Sequence, residues 1–154
     1  MITVRSEVVD EVVHIRPATV RQYVELVLSR HEVQDATVTV IFATDEMVRR
    51  LKATYLHQDA YTDVLAFRLD ENGDPNTPGQ SLPLEGEIYI SPRTAEENAQ
   101  DWGVALDNEL SRLIFHGCLH LLGYHDDTAA SRSRMQAMED SFLDEVSPED
   151  LLEP

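Results

Sequence analysis

The sequence predicts an α+β fold: a single domain in which a small mixed β-sheet is packed with helices, one of them central and buried. Three observations predict it. Strand-like runs lie at 36–42, rich in β-branched residues, at 64–67, apolar at both parities, and at 85–90, with a stretch of helical periodicity between the first two and further helical stretches after the third. Residues 105–122 carry apolar groups all round (Leu106, Leu110, Leu113, Ile114, Phe115, Leu119, Leu121 and Leu122), as expected for a helix of about 18 residues, about 27 Å long, with little contact with water. The chain has 154 residues, 42% of them hydrophobic, which suits one domain with a sizeable core.

Each element follows from a local pattern. Ile2-Thr3-Val4 alternates like a short strand, and Pro17 opens a helix whose stripe is Val20, Val24, Val27 and His31. A lone histidine completing an apolar stripe is read as a packed residue. After the strand at 36–42, Thr44 caps a helix running to about Tyr55, with Asp45 and Glu46 at the positive end of its dipole. Met47, Val48, Leu51 and Tyr55 form its inner face. The run from Val64 to Phe67 is apolar at both parities, which predicts a strand covered on both sides. Residues 70–79 are dense in turn formers and make a surface connection. Ser91-Pro92 starts a helix that ends near Trp102-Gly103. Met135, Met138, Phe142 and Val146 mark the inner face of a last helix, and residues 147–154 read as an acidic, frayed tail.

Composition narrows the function classes. The segment Met1-Ile2-Thr3-Val4-Arg5-Ser6-Glu7 lacks the apolar core of a secretory signal, and no run approaches the roughly 18 apolar residues of a membrane span. A cytoplasmic protein without a membrane partner is expected. The single cysteine, Cys118, lies within the buried helix, where it serves as a small hydrophobe. Against 29 acidic residues stand 12 basic ones, Lys52 being the sole lysine, for a net charge of −17. Such a surface repels nucleic acid at long range, so any nucleic-acid chemistry needs a local basic patch or a cation at the site.

The chemistry is concentrated in His116-Gly117-Cys118-Leu119-His120-Leu121-Leu122-Gly123-Tyr124-His125-Asp126-Asp127. Histidines four apart on a helix project from the same side, one turn apart, and can address one point. Two unpaired imidazoles in an apolar helix are costly unless something organises them, and a metal ion does so. Gly123 can adopt positive φ and reverse the chain, so that His125 or Asp126 supplies a third ligand. In the His-Glu-x-x-His proteases the glutamate is the general base, whereas Gly117 stands there in this chain. Glu109 lies two turns below His116 and is expected beneath the site or paired with Arg112, not as the base.

His116-Gly117-x-Leu119-His120-Leu121-x-Gly123-Tyr124, with Thr62-Asp63-Val64-Leu65-x-Phe67 and Gly86-Glu87-Ile88-x-Ile90-Ser91, resembles the YbeY family of bacterial rRNA maturation factors. The three blocks fall in the family's order. The resemblance implies a metalloprotein holding one zinc ion in a three-residue site and implicated as an endoribonuclease in processing the 3′ end of 16S rRNA and in ribosome quality control. Its partners would be rRNA and the small ribosomal subunit. Carried over by position, the ligands are His116, His120 and Asp126. The family usually has histidine where Asp126 stands, and His125 beside it is the rival. Many members have an arginine at the position of Leu56, with His57 as a possible substitute.

The resulting expectation is a zinc-dependent hydrolase of single-stranded rRNA, with water activated by the metal as nucleophile. Thr62-Asp63 and Gly86-Glu87 would frame the cleft, and Arg68 or Arg93 would supply positive charge. A zinc peptidase and a ribosome-associated binding factor with a structural metal are the competing readings.

Overall fold

The computed structural model describes residues 1–9, 11–56, 63–70 and 83–154. His57, Thr62 and the turn-rich tract after Asp70 lie outside them. The elements run β1 (Ile2–Val8), α1 (Pro17–Arg30), β2 (Ala36–Phe42), α2 (Asp45–Leu56), β3 (Val64–Arg68), β4 (Leu84–Ile90), α3 (Pro92–Trp102), α4 (Leu106–Leu121), α5 (Ala129–Glu145) and a 3₁₀ turn at Pro148–Asp150. The α+β class expected from the sequence is the one observed. The sheet order is β1-β2-β4-β3. β1 and β4 run parallel to β2, and β3 pairs antiparallel with β4 at the edge.

Strand register divides the sheet into two faces. One presents Val38, Val40 and Phe42 of β2 and Ile88 and Ile90 of β4, all sealed from solvent, to a core shared with Val20, Val24 and Val27 of α1 and Leu110, Ile114 and Leu119 of α4. The other packs Ile41 and Leu65 under α2 through Val48, with Leu51, Phe67 and Tyr89 around them. β3 is thus covered on both sides, as its unbroken apolar run predicts. Tyr55 ends the stripe of α2 but stays largely exposed, its ring edge-on to Phe67 at 5.4 Å.

The position of α4 on the sheet rests on two glycines. A Cβ on Gly117 would stand 2.5 Å from Ile88 Cγ2, and one on Gly86 would stand 2.7 Å from Leu121 Cδ2. Helix glycine opposes strand isoleucine and strand glycine opposes helix leucine, so backbone and side chain interlock at closer than ordinary separation. With Gly117 turned to the sheet, the same helix turn directs His116 outward at its margin.

The tail expected to fray is instead part of the fold. Leu151 is completely buried. Arg16 donates its backbone N–H to the Leu151 carbonyl at 2.9 Å, and Glu153 donates to His14 at 2.8 Å. Thr19 Oγ1 donates to the Asp150 carbonyl and the Tyr23 hydroxyl to that of Ser147, each at 3.0 Å. Net negative charge misled the reading: Leu151 supplies the apolar anchor, and the carboxylates around it face water. Replacing Leu151 with alanine is expected to cost about 2–5 kcal/mol in urea denaturation, the range for a buried leucine whose cavity does not collapse.

Candidate metal centre

α4 leads into the site through its own termination. Gly123 takes φ 98°, and Tyr124 donates its backbone N–H to Leu119 at 3.0 Å. The chain then turns back so that Asp126 faces the helix it has just left. α5 begins three residues later, capped by Thr128, which forms a reciprocal capping box with Ser131, and Arg132 reaches the Asp126 carbonyl at 3.3 Å.

His116 Nε2 and His120 Nε2 stand 2.9 Å apart. Asp126 Oδ2 is 3.4 Å from the first and 3.5 Å from the second. The three donor atoms lie within 4.8 Å of one another. His125 is exposed and outside this group.

The other nitrogen of each ring determines what this cluster can do. His116 Nδ1 faces Glu139 Oε2 at 2.7 Å, and His120 Nδ1 faces the Tyr124 carbonyl at 3.1 Å. Both partners accept, so each Nδ1 carries the proton when the imidazoles are neutral, and both Nε2 atoms offer lone pairs to the same small volume. Lone pairs 2.9 Å apart beside a carboxylate repel unless a proton or cation lies among them. Two imidazole nitrogens and a carboxylate oxygen form a donor set that fits a divalent metal, with the carboxylate–histidine link found behind metal-binding imidazoles.

Electrostatics follow the same arrangement. Burial alone would lower the pKa of His116, but the Glu139 hydrogen bond and the charges of Glu139, Asp126 and Asp63 hold it above the ordinary imidazole value. That of His120 is depressed, by burial first and then by its neighbour His116. Cys118, on the same helix, is fully buried and its thiol is pushed up to about 12, which makes it a core residue and not a thiolate ligand.

Glu139 was not foreseen from the sequence. Its side chain is only 4% exposed, and it shares its carboxylate between His116 and Arg112, whose Nη1 donates to Oε1 at 2.9 Å. Arg112 also binds Asp140 at 2.5 Å. Its ion pairs therefore run to α5, and not to Glu109 as the helical spacing had implied. A signal existed: Glu139 lies between Met135 and Phe142 on the apolar stripe of α5, where a carboxylate needs a partner. His31, read as a packed residue, also contributes. Its Nδ1 donates to the Val27 carbonyl at 2.8 Å, leaving Nε2 to accept from the Tyr124 hydroxyl at 3.1 Å. Tyr124 thus ties the C-terminus of α1 to the loop whose carbonyl fixes His120.

A cavity of about 510 Å³ opens beside the cluster, its lining including Asp63, Asn108, Glu109, Arg112, His116, Asp126 and Glu139, together with Trp102 and Val104. Asp63 is held by Asn98 Nδ2 at 2.9 Å and frames the opening as expected. Gly86 and Glu87 do not. Gly86 lies under Leu121, and Glu87 is on the opposite sheet face, where it accepts from the Tyr89 hydroxyl at 3.3 Å. Arg68 donates to Asp70 at 2.8 Å and to the Leu121 carbonyl at 3.3 Å, which fastens β3 to the end of α4. Arg112, rather than Arg68 or Arg93, is the arginine of the cavity wall.

With this geometry established, comparison with known proteins is informative. The family model described as Endoribonuclease YbeY matches residues 6–147. The chain belongs to the YbeY family. The Endoribonuclease YbeY of Heliobacterium modesticaldum is 39% identical over 121 residues, covering 73% of this chain and 71% of its own. That of Moorella thermoacetica is 42% identical over 113 residues, 71% of this chain and 72% of the relative. That of Salinibacter ruber is 32% identical over 130 residues, 84% and 83% respectively. A solution structure from Thermotoga maritima shares the fold, with a TM-score of 0.58 at 24% identity, over 93% of this chain and 91% of that one. In this YbeY-family chain, Asp126 occupies the point of the cluster where the resemblance leads one to expect a histidine.

Two predictions follow from the buried carboxylates. Glu139→Gln should weaken metal binding about 10- to 100-fold by calorimetry, the usual loss when the acceptor behind a histidine ligand is impaired. Glu109 is buried, and burial, then the charge of Asp63, raises its pKa while Arg112 opposes them. The folded chain therefore holds this proton more tightly than the unfolded chain. Its stabilising effect is complete below the ordinary carboxylate pKa and is lost as the pH rises through the raised value. In chelator-treated protein, Glu109→Gln should melt above wild type at pH 7–8, with the gap closing as the pH falls below 4.

Proposed function

We propose that this chain is a metal-dependent endoribonuclease of rRNA maturation, with residues 1–154 acting as one hydrolase domain and His116, His120 and Asp126 holding one zinc ion. The observation that carries the reading is the convergence of two Nε2 lone pairs and a carboxylate oxygen, each imidazole fixed from behind by an acceptor. Family membership supports the activity, since the relatives are named endoribonucleases. The substrate is rRNA, with the 3′ end of 16S rRNA in the small ribosomal subunit as the specific target and the cytoplasm as the compartment. No helix among the described residues is long and apolar enough to cross a membrane.

A zinc ion with three protein ligands supplies Lewis acidity and activates water near neutral pH. The residues prepare the site for it. Glu139 and the Tyr124 carbonyl keep both imidazoles in the tautomer that presents Nε2. Asp126 contributes a negative charge that lowers the net charge of the loaded centre relative to three histidines. Arg112 orients Glu139 by donating to its Oε1. The peptidase reading loses its main residue, because position 117 faces Ile88 and a side chain there would enter the sheet instead of the cavity.

Elemental analysis of the purified protein should give one zinc per chain, falling to background in His116→Ala and His120→Ala. The metal-loaded protein should cleave a 16S rRNA precursor, and the same preparation carrying His116→Ala should not. Cleavage that survives that substitution would refute the assignment. Zinc in stoichiometric amount without cleavage of RNA would favour the binding-factor reading.

A further inference from the structure

Trp102 is the only tryptophan of the chain, and it is 65% exposed. Its position in α3 makes that exposure notable. Pro92, Ala95 and Ala99 are the buried residues of the helix, and Trp102 continues the same line at i+7 from Ala95, on the side that packs toward α4. Helical periodicity thus assigns it to the interior face, yet it emerges beyond the end of the core. Gly103 then caps α3 at φ 67°, and Val104 returns its N–H to Ala99 at 3.0 Å. The indole and the exposed Val104 give an apolar patch to the lining of the cavity that His116 and Asp126 also line.

The charges of the cavity exclude the usual way of holding RNA. Arg112 is committed to Glu139 and Asp140, and the wall also carries Asp63 and Asp126. Phosphates gain little from such a surface, and the net charge of the chain opposes them further. Apart from a metal ion on the histidines, affinity for a strand must then come from its bases, whose π-faces stack on aromatic rings at little electrostatic cost. Among the described residues, Trp102 is the aromatic side chain of the cavity lining apart from the His116 imidazole.

We propose that Trp102 is a stacking platform for an unpaired nucleobase, and that it selects single-stranded over base-paired RNA for the cavity. The proposal rests on the reading of that cavity as an RNA-cleaving site and adds to it the feature of the substrate that is recognised. The α3–α4 connection places Trp102 at the start of α4. Asn108 and His116 of that helix both line the cavity and lie eight residues apart, about 12 Å along the axis. The stacked base therefore belongs to a neighbour of the nucleotide whose phosphodiester reaches the histidines. In a duplex each base is covered on both faces by its own stack, so the indole has nothing to receive.

The test uses the metal-loaded protein and a 2′-O-methyl single-stranded oligonucleotide, its integrity checked afterwards by gel. With one tryptophan, intrinsic fluorescence reports on this site alone. Saturable quenching by the single strand is expected, with no matching signal from a hairpin of the same composition. By anisotropy of a labelled strand, Trp102→Ala should raise Kd on the order of tenfold, Trp102→Phe should recover most of the loss, and an abasic strand should bind wild type as weakly as the intact strand binds the alanine variant. Raising salt should weaken binding only slightly, because few counterions are released. Equal affinity of wild type and Trp102→Ala, equal binding of the abasic strand, or no binding of the single strand would each overturn the proposal. Cleavage of precursor by wild type with unchanged kcat/KM in Trp102→Ala would refute the stacking role while leaving the endoribonuclease assignment intact. Trp102-dependent binding by a protein that cleaves nothing would do the reverse.

Discussion

The seating of α4 on β4 is the constraint from which the rest of the site follows. Two residue pairs, Gly117 with Ile88 and Gly86 with Leu121, bring helix and strand into contact so close that a Cβ at either glycine would force the facing side chain to shift. Once that helix is fixed in height and rotation, His116 and His120 can emerge only at its margin, on the side of α5 and the turn that follows Gly123. Metal chemistry demands donor positions held to fractions of an ångström, and a helix locked to a sheet provides them better than a loop does.

A second layer of control comes from α5. Glu139 is a carboxylate inside a protein interior, tolerable because Arg112 and His116 both answer its charge. The effect reaches both histidines by different means. Against the effect of burial, His116 is drawn toward the protonated form by Glu139, whereas burial and then the neighbouring His116 push His120 away from it despite the Tyr124 carbonyl behind its ring. One imidazole is backed by charge and the other by a dipole, so the two are not equivalent even though they occupy successive turns of one helix.

Much of the fold was legible in the sequence because its cues are local. The β-branched run 36–42, the Ser91-Pro92 start and the all-round apolar character of α4 each depend on a few neighbouring residues, and each corresponds to the observed element. The histidine pair was legible for the same reason, since the helix repeat alone brings positions 116 and 120 together. What escaped prediction depends on long-range packing. Glu139 is 23 residues from the histidine it orients, and nothing in the composition of 147–154 shows that Leu151 has a socket waiting between α1 and α4. Gly117 was noticed as the absence of a catalytic glutamate. Its positive role, as the place where Ile88 enters the helix surface, needed the tertiary structure.

The hydrogen bonds from α1 to the C-terminal segment have a consequence for the order in which the chain becomes a protein. Thr19 and Asp150 are separated by 131 positions, and Leu151 leaves the ribosome after everything it packs against. The β1–α1–β2 unit can assemble early, but the core beneath α1 stays open at one end until the final turn arrives to close it. Residues 147–151 therefore complete the hydrophobic interior after the elements they seal, and a nascent chain that stops short of them would carry His116, His120 and Asp126 on an unsealed fold.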